Sequence, residues 1–185
     1  MNIKEKFSLV IPTFNEENTI SEVIENVKHL TDDLIVIDGH STDNTKKIAE
    51  SFGVKFILDN KLGKGSAVRI ALKHVKYSVT VFMDADGSHD HKDIIKLLKP
   101  IFENKADLVM GSRMLGGSDE LFGSISEVIR LIGSLVISLS INYRFNVRFT
   151  DYQNGFRAIK TEVGNKINLK SNKTTIEQEM AMKCL

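Results

Sequence analysis

The feature that most constrains this chain is a strict alternation of short apolar segments with amphipathic ones. Phe7-Ser8-Leu9-Val10-Ile11-Pro12-Thr13 is an apolar run closed by proline, the pattern of a buried strand. From Glu16 to Leu30, apolar residues recur at Ile20, Val23, Ile24, Val27 and Leu30, which is helical spacing. Leu34-Ile35-Val36-Ile37 reads as a second strand ending at Asp38-Gly39. Ser41 or Thr42 is placed to cap a helix through Phe52, with Gly53 as its stop. Val54 to Leu58 is a third strand. Gly63-Lys64-Gly65 opens a helix with Val68, Ala71, Leu72 and Val75 inward, and Val79 to Met83 is a fourth strand. Asp90 is expected to cap a helix from about His91 to Leu98, which Pro100 should bend or restart because its ring blocks the bond to the preceding turn. Leu108-Val109-Met110 is a fifth strand, followed by Gly111-Ser112-Arg113. This alternation predicts an α/β fold, a mostly parallel sheet with right-handed crossovers and helices on both faces.

After Met114 the pattern changes to a glycine-rich loop, a long apolar helix from about Ser124 to Asn142, a short strand-like stretch and a final helical run to Leu185. That run ends without a cap, so native sequence is expected to continue beyond it. At 185 residues, 42% hydrophobic and 26% charged, residues 1–185 are expected to form one domain, with residues 1–113 and 114–185 as its two halves. Lys+Arg 25 against Asp+Glu 24 leaves a formal charge of +1, which gives no electrostatic case for nucleic acid as a partner. Cys184 is the single cysteine, which excludes a disulfide framework and fits a reducing compartment. The charged Met1–Lys6 stretch runs straight into the first strand and does not read as a signal peptide. No run of ~18 uncharged apolar residues exists, so nothing in the sequence is expected to span a bilayer.

In an open parallel sheet, ligands bind outside the carboxyl ends of the strands. Four such ends carry polar residues: Thr13-Phe14-Asn15-Glu16, Asp38-Gly39-His40-Ser41, Asp84-Ala85-Asp86 and Gly111-Ser112-Arg113. Asp84 and Asp86 close an otherwise apolar strand. Two such carboxylates repel each other unless a cation or donor satisfies them, or they are simply solvated at a turn. Mg²⁺ bridging a diphosphate would satisfy them, since it takes one or two carboxylates plus phosphate oxygens. Asp38 can accept from a base N–H or a ribose hydroxyl, or cap the next helix. Glu16 sits at a helix start, where a carboxylate also suits the dipole. Gly63-Lys64-Gly65 lacks the spacing of a P-loop or a dinucleotide fingerprint. His89 and His91 flank Asp90 as helix-cap histidines beside the carboxylate pair, where metal ligation is also conceivable.

Phe7–Glu17 (FSLVIPTFNEE), Leu34–Thr45 (LIVIDGHSTDNT), Phe82–Asp90 (FMDADGSHD), Asp107–Met114 (DLVMGSRM) and Asp151–Ile159 (DYQNGFRAI) occur in that order. Together they resemble family 2 glycosyltransferases of the GT-A fold, most closely the dolichyl-phosphate mannose/glucose synthase branch. The resemblance implies a nucleotide-diphosphate sugar donor (GDP-mannose, UDP-glucose or UDP-N-acetylglucosamine), Mg²⁺ or Mn²⁺, inversion at the anomeric carbon and a polyprenyl phosphate acceptor. It places Pro12, Phe14, Glu16, Ile37 and Asp38 around the nucleotide, and Asp84, Ala85 and Asp86 at the diphosphate and metal, with Ser88 near the metal. It makes residues 1–113 the donor half and 114–185 the acceptor half, with Arg113 on phosphate at the reaction centre. Two motifs depart from the common pattern: Asp38-Gly39-His40-Ser41 stands where Asp-Asp-Gly-Ser is usual, and Asn154-Gly155-Phe156-Arg157 where Ser-Gly-Phe-Arg is usual. Relatives also carry a basic, flexible segment beyond the position of Leu185.

The long helix carries Ile125, Val128, Ile129, Ile132, Leu135, Val136 and Leu139 on a wide apolar face, extended by Leu131 and Ile137. Glu127, Arg130 and several serines argue against spanning. A core helix and an interfacial helix at a membrane surface remain, and the breadth of the face favours the second. Arg130 and Ser134 lie one turn apart on one face, placed to grip a lipid-borne phosphate unless Arg130 merely pairs with Glu127. Polyprenyl-phosphate-using relatives share this Arg-x-x-x-Ser spacing. The expected location is therefore cytoplasmic, peripheral on the cytoplasmic face of a membrane. Two alternatives stand beside this reading. One is a transferase acting on a saccharide or lipid-linked glycan hydroxyl, with Asp151, Glu177 or Glu179 as base. The other is a non-catalytic nucleotide-binding protein of the same fold, against which the retained aspartate pair argues.

Overall fold

The computed structural model describes residues 6–112, 125–146, 150–152 and 154–185. Arg113 lies outside them, and so do the side chains of Arg130 and Ser134, although the backbone of both belongs to the long helix.

The alternation read from the sequence is present: β1 (Ser8–Thr13), α1 (Ile20–Val27), β2 (Leu34–Asp38), α2 (Thr45–Ser51), β3 (Lys55–Leu58), α3 (Lys64–His74), β4 (Val79–Phe82), α4 (Ile94–Phe102) and β5 (Leu108–Met110). After these come α5 (Ile125–Phe145), β6 (Arg157–Lys160), α6 (Thr161–Lys166) and α7 (Ile176–Lys183). The sheet order is β3-β2-β1-β4-β6-β5. β1, β2, β3 and β4 pair in parallel, with Val10 facing Ile35 on one side and Phe82 on the other. β6 runs antiparallel to both of its neighbours, pairing Ala158 with Val81 and with Val109. The sequence marked that stretch only as strand-like. The sheet is mostly parallel, and a late antiparallel strand holds β5 away from β4.

Period-two alternation sends the strand side chains to two cores. Leu9, Ile11, Val36 and Val81 pack with Val23, Ile24 and Val27 of α1 and Leu97, Leu98 and Ile101 of α4. Val10, Ile35, Ile37 and Phe82 pack with Val68, Ala71 and Leu72 of α3 and Ile176 and Met180 of α7. Full burial on both faces is what a parallel strand with helical crossovers requires.

Three local expectations are corrected. Neither Ser41 nor Thr42 caps α2, which begins at Thr45. The Ser41 hydroxyl donates to Asp38 and the Thr42 amide to Asn15 Oδ1, so this loop is spent on pinning the β1 and β2 ends together. Pro100 does not break α4, which runs through it to Phe102. The one carbonyl it leaves without an N–H belongs to the exposed Lys96, where water can reach it. Asp90 does cap, accepting from the Lys92 amide at 2.9 Å, but a 3₁₀ turn over His91–Asp93 precedes the α-helix.

The long helix extends to Phe145, three residues past its expected end. Its inner contact is Ile141 with Tyr152 and Ala181. Ile129, Ile132, Val136, Leu139 and Tyr143 are exposed, so these apolar side chains are not packed on the sheet. No helix among the described residues is long and apolar enough to cross a membrane.

Candidate functional site

At the carboxyl ends of β1, β2, β3 and β4 lies an open cavity of about 710 Å³. That is within the usual range for a small-molecule site, roughly 300–1,000 Å³. Pro12, Phe14 and Glu16 line it from β1, Ile37 from β2, and Asp84, Ala85 and Asp86 from β4, so seven of the predicted residues meet at one place. Phe14 forms an exposed lip.

Asp38 stands apart. It is buried, and its carboxylate accepts from the Ser41 amide at 2.9 Å and from the Ser41 hydroxyl at 2.5 Å. The residue shapes the loop that carries Gly39 and His40 into the cavity wall and is not itself among the lining residues. Gly111 and Ser112, the described residues at the end of β5, are not among the lining residues either, because β6 intervenes. The end of β3 does reach the cavity, through Asp59 and Lys61, which the sequence reading passed over. Their signal was available in kind, an acidic residue just past an apolar run. His40 adopts a left-handed backbone, φ 67°, and its Nε2 donates to the Asp59 carbonyl at 2.7 Å, joining the β2 and β3 ends.

Gly63-Lys64-Gly65 proves to be a docking platform. A Cβ on Gly65 would lie 2.2 Å from the Ser171 carbonyl oxygen, and the Gly65 amide donates to the Asn172 carbonyl at 3.0 Å. The glycines let the 171–172 backbone press onto the start of α3, which explains them without a phosphate. Lys64 faces inward: Nζ is 2.7 Å from Asp84 Oδ1 and 2.7 Å from Glu177 Oε1. The second contact is an ion pair without hydrogen-bond alignment.

Asp84 and Asp86 differ sharply. Burial opposes ionisation of Asp84, yet His89, 3.5 Å from Oδ2, and Lys64 outweigh it and hold the carboxyl well below the usual carboxylate range. Burial likewise opposes the Lys64 charge, and Asp84 and Glu177 overcome it and raise its pKa. His89 is fixed by stacking on Phe156, centroids 5.0 Å apart at 12°. Gly155 leaves room for the Asp84 carboxylate, since a Cβ there would come within 2.2 Å of Oδ2. Asp86 is exposed, and its Oδ1 accepts from the Ser88 amide at 3.0 Å and the Ser88 hydroxyl at 2.7 Å.

Among the described residues the cavity wall holds four carboxylates, Glu16, Asp59, Asp84 and Asp86, against two lysines, Lys61 and Lys64. A diphosphate entering so acidic a wall needs added positive charge. Among the described residues no group of three or more His, Cys, Asp or Glu is placed to hold a metal by protein ligands alone. Asp86, exposed and ending the acidic stretch, could hold a hard divalent cation such as Mg²⁺ or Mn²⁺ shared with phosphate oxygens. Asp84, already paired, and Ser88, already donating to Asp86, suit supporting places better than ligation.

The sequence pattern of Glycosyl transferase family 2 matches residues 8–167. Glycosyltransferase AglJ of Haloferax volcanii is 33% identical over 178 residues, covering 95% of this chain and 57% of that protein. The UDP-N-acetylglucosamine–dolichyl-phosphate N-acetylglucosaminyltransferase of Methanococcus voltae is 30% identical over 172 residues, 81% of this chain and 67% of that one. The dolichol-phosphate mannosyltransferase of Pyrococcus furiosus is 29% identical over 174 residues, 89% of this chain and 49% of that one. This chain therefore spans about half to two thirds of these relatives. Among solved structures, glucosyl-3-phosphoglycerate synthase from Mycobacterium tuberculosis in complex with Mn²⁺, UDP-glucose and phosphoglyceric acid shares the fold at TM-score 0.75 and 24% identity, over 97% of this chain and 64% of that one. With the strand-end cavity, the ordered motifs and the match across most of its length, this chain belongs to glycosyltransferase family 2.

Proposed function

We propose that this chain transfers a hexose, with inversion, from a nucleotide-diphosphate sugar to a polyprenyl phosphate at a membrane surface. The observation that carries the reading is the cavity itself, in which Pro12, Phe14 and Ile37 offer an apolar wall and Asp84-Ala85-Asp86 an acidic one. The apolar wall suits a nucleoside and the acidic one a cation-bound diphosphate. GDP-mannose, UDP-glucose and UDP-N-acetylglucosamine are the candidate donors. A divalent cation held by Asp86 would supply charge to the departing diphosphate. Ser88 orients that carboxylate through its amide and hydroxyl. Asp84 keeps Lys64 and His89 in place around the diphosphate end.

An acceptor phosphate is already ionised near neutral pH, so the chain must orient its oxygen behind the anomeric carbon and needs no strong base. Arg113, Arg130 and Ser134 are assigned to the acceptor phosphate. The exposed stripe of α5 is assigned to the lipid surface, with the chain peripheral to it. The names of the Methanococcus and Pyrococcus relatives support the lipid-phosphate acceptor.

A hydroxyl acceptor would need a carboxylate base. Glu179 is unsuited, since it accepts from the Lys170 and Ser171 amides and pairs with Lys183. Glu177, beside Lys64 and Asp84, is the better placed and keeps that second reading in view. Labelled GDP-mannose, UDP-glucose and UDP-N-acetylglucosamine, each offered with a short polyprenyl phosphate or with sugar alcohols, separate the two. Lipid-phosphate product, with a raised KM for polyprenyl phosphate in Arg130→Ala, supports the first reading. Product on the sugar alcohols alone overturns it.

A further inference from the structure

Lys64 stands in the partition between the donor cavity and a small pocket of about 10 Å³ behind it, and it lines both. The small pocket is walled by Asp84, Gly155, Arg157 and Glu177. Asp84 and Glu177, each with an oxygen 2.7 Å from Nζ, share the ammonium charge. The Lys64 side chain is 25% exposed and that of Glu177 9%, so both sit largely out of water.

Glu177 has little freedom to move. Its carbonyl accepts from Arg157 Nη1 at 3.0 Å, and Arg157, itself buried, also donates to the Asn154 carbonyl. The loop before α7 is pressed onto α3 at Gly65 and tied by Glu179 to the Lys170 and Ser171 amides. Lys64 differs: a compact charge on a flexible four-carbon stem can change partners by rotamer alone. The start of α3 offers a diphosphate little else, because the Gly65 amide is already given to the Asn172 carbonyl.

We infer that Glu177 is a positioning residue that competes with the donor diphosphate for Lys64. Donor entry breaks the Lys64–Glu177 pair and keeps Lys64 on Asp84, and recapture of Lys64 by Glu177 helps expel the nucleoside diphosphate after transfer. The inference rests on reading the 710 Å³ cavity as the donor site. It gives the buried carboxylate of Glu177 a role in donor affinity and product release.

A double-mutant cycle tests it. UDP and GDP, each with Mn²⁺, are titrated calorimetrically into the wild-type chain, Glu177→Gln, Lys64→Met and the double variant. Glu177→Gln is expected to bind the nucleoside diphosphate about tenfold more tightly, equivalent to about 1.4 kcal/mol. Lys64→Met is expected to bind more weakly, and the double variant to match Lys64→Met, because the gain exists only when a lysine is there to be released. A merely structural Glu177 would lower the melting temperature of Glu177→Gln without tightening binding. Unchanged or weaker binding in Glu177→Gln, or a gain that survives without Lys64, overturns the inference. Should Lys64→Met fail to fold, the dissociation rate from Glu177→Gln decides: about tenfold slower release supports the competition and an unchanged rate contradicts it. Failure of the wild-type chain to bind either nucleotide would instead overturn the donor-site reading.

Discussion

The two sides of the central strand β4 were built by different rules. On one side, β1, β2 and β3 follow each other through short helical crossovers, and the cavity collects their ends. On the other side, β6 arrives from far along the chain, inserts antiparallel and brings with it Gly155, Arg157 and, through the packing of α7, Glu177. The first side supplies the apolar wall of Pro12, Phe14 and Ile37, and β4 itself leads into both aspartates. The second holds Asp84 and Lys64 in their present pairing. A cavity made of local strand ends thus depends on a long-range strand for its electrostatics.

The sharpest way to break that dependence is Gly155→Ala. Its Cβ would meet the Asp84 carboxylate at 2.2 to 2.7 Å, so either the 154–156 loop or Asp84 must shift. A loss of about 1–3 kcal/mol in thermal or denaturant unfolding is expected, with weakened binding of nucleoside diphosphate. Wild-type stability and binding would show that β6 does not govern Asp84.

The next effect is a pH dependence. Asp84 is held below its ordinary value by His89 and Lys64, against the cost of burial. Its ionised form therefore contributes stability that is fully present above the unfolded-state value, about 3.9, and is lost as pH falls through the lower folded-state value. The melting-temperature gap between the wild-type chain and Asp84→Asn should accordingly be widest above about pH 5 and narrow below it. A gap independent of pH from 3 to 7 would contradict the pairing.

The smallest effect on stability is expected on α5. Leu139 is 65% exposed, so Leu139→Ser should change unfolding by no more than about 0.5 kcal/mol. The same substitution should weaken co-sedimentation with liposomes. A large loss of stability would mean that the stripe is a core face, and unaltered sedimentation that it is not a lipid-binding one.

How much of this was legible in the sequence follows from the same contrast. Three buried strands, β1, β2 and β4, and the helices around them leave continuous apolar runs and helical spacing in the chain. The strand ends that bear Pro12, Ile37 and Asp84–Asp86 could therefore be placed before any coordinates. Four-residue β6, buried along most of its length, carries no directional signal, so its antiparallel insertion between β4 and β5 was not readable. Asp59 was missed because β3 is half-exposed and reads as an unremarkable segment. The contact of Ser41, three residues on, with the Asp38 carboxylate was not readable either, because it depends on the turn that follows β2. The packing role of Gly63 and Gly65 was not readable, because the neighbours they accommodate, Ser171 and Asn172, are a hundred residues away in sequence.

The central claim is that the strand-end cavity binds a nucleotide diphosphate through a cation on Asp86. Calorimetric titration of UDP and GDP into the wild-type chain and Asp86→Ala, with Mn²⁺ and again with EDTA, tests it directly. The account predicts binding of at least one nucleotide by the wild-type chain that needs Mn²⁺ and is largely lost in both EDTA and Asp86→Ala. Binding that is equally tight in Asp86→Ala and indifferent to EDTA would contradict it.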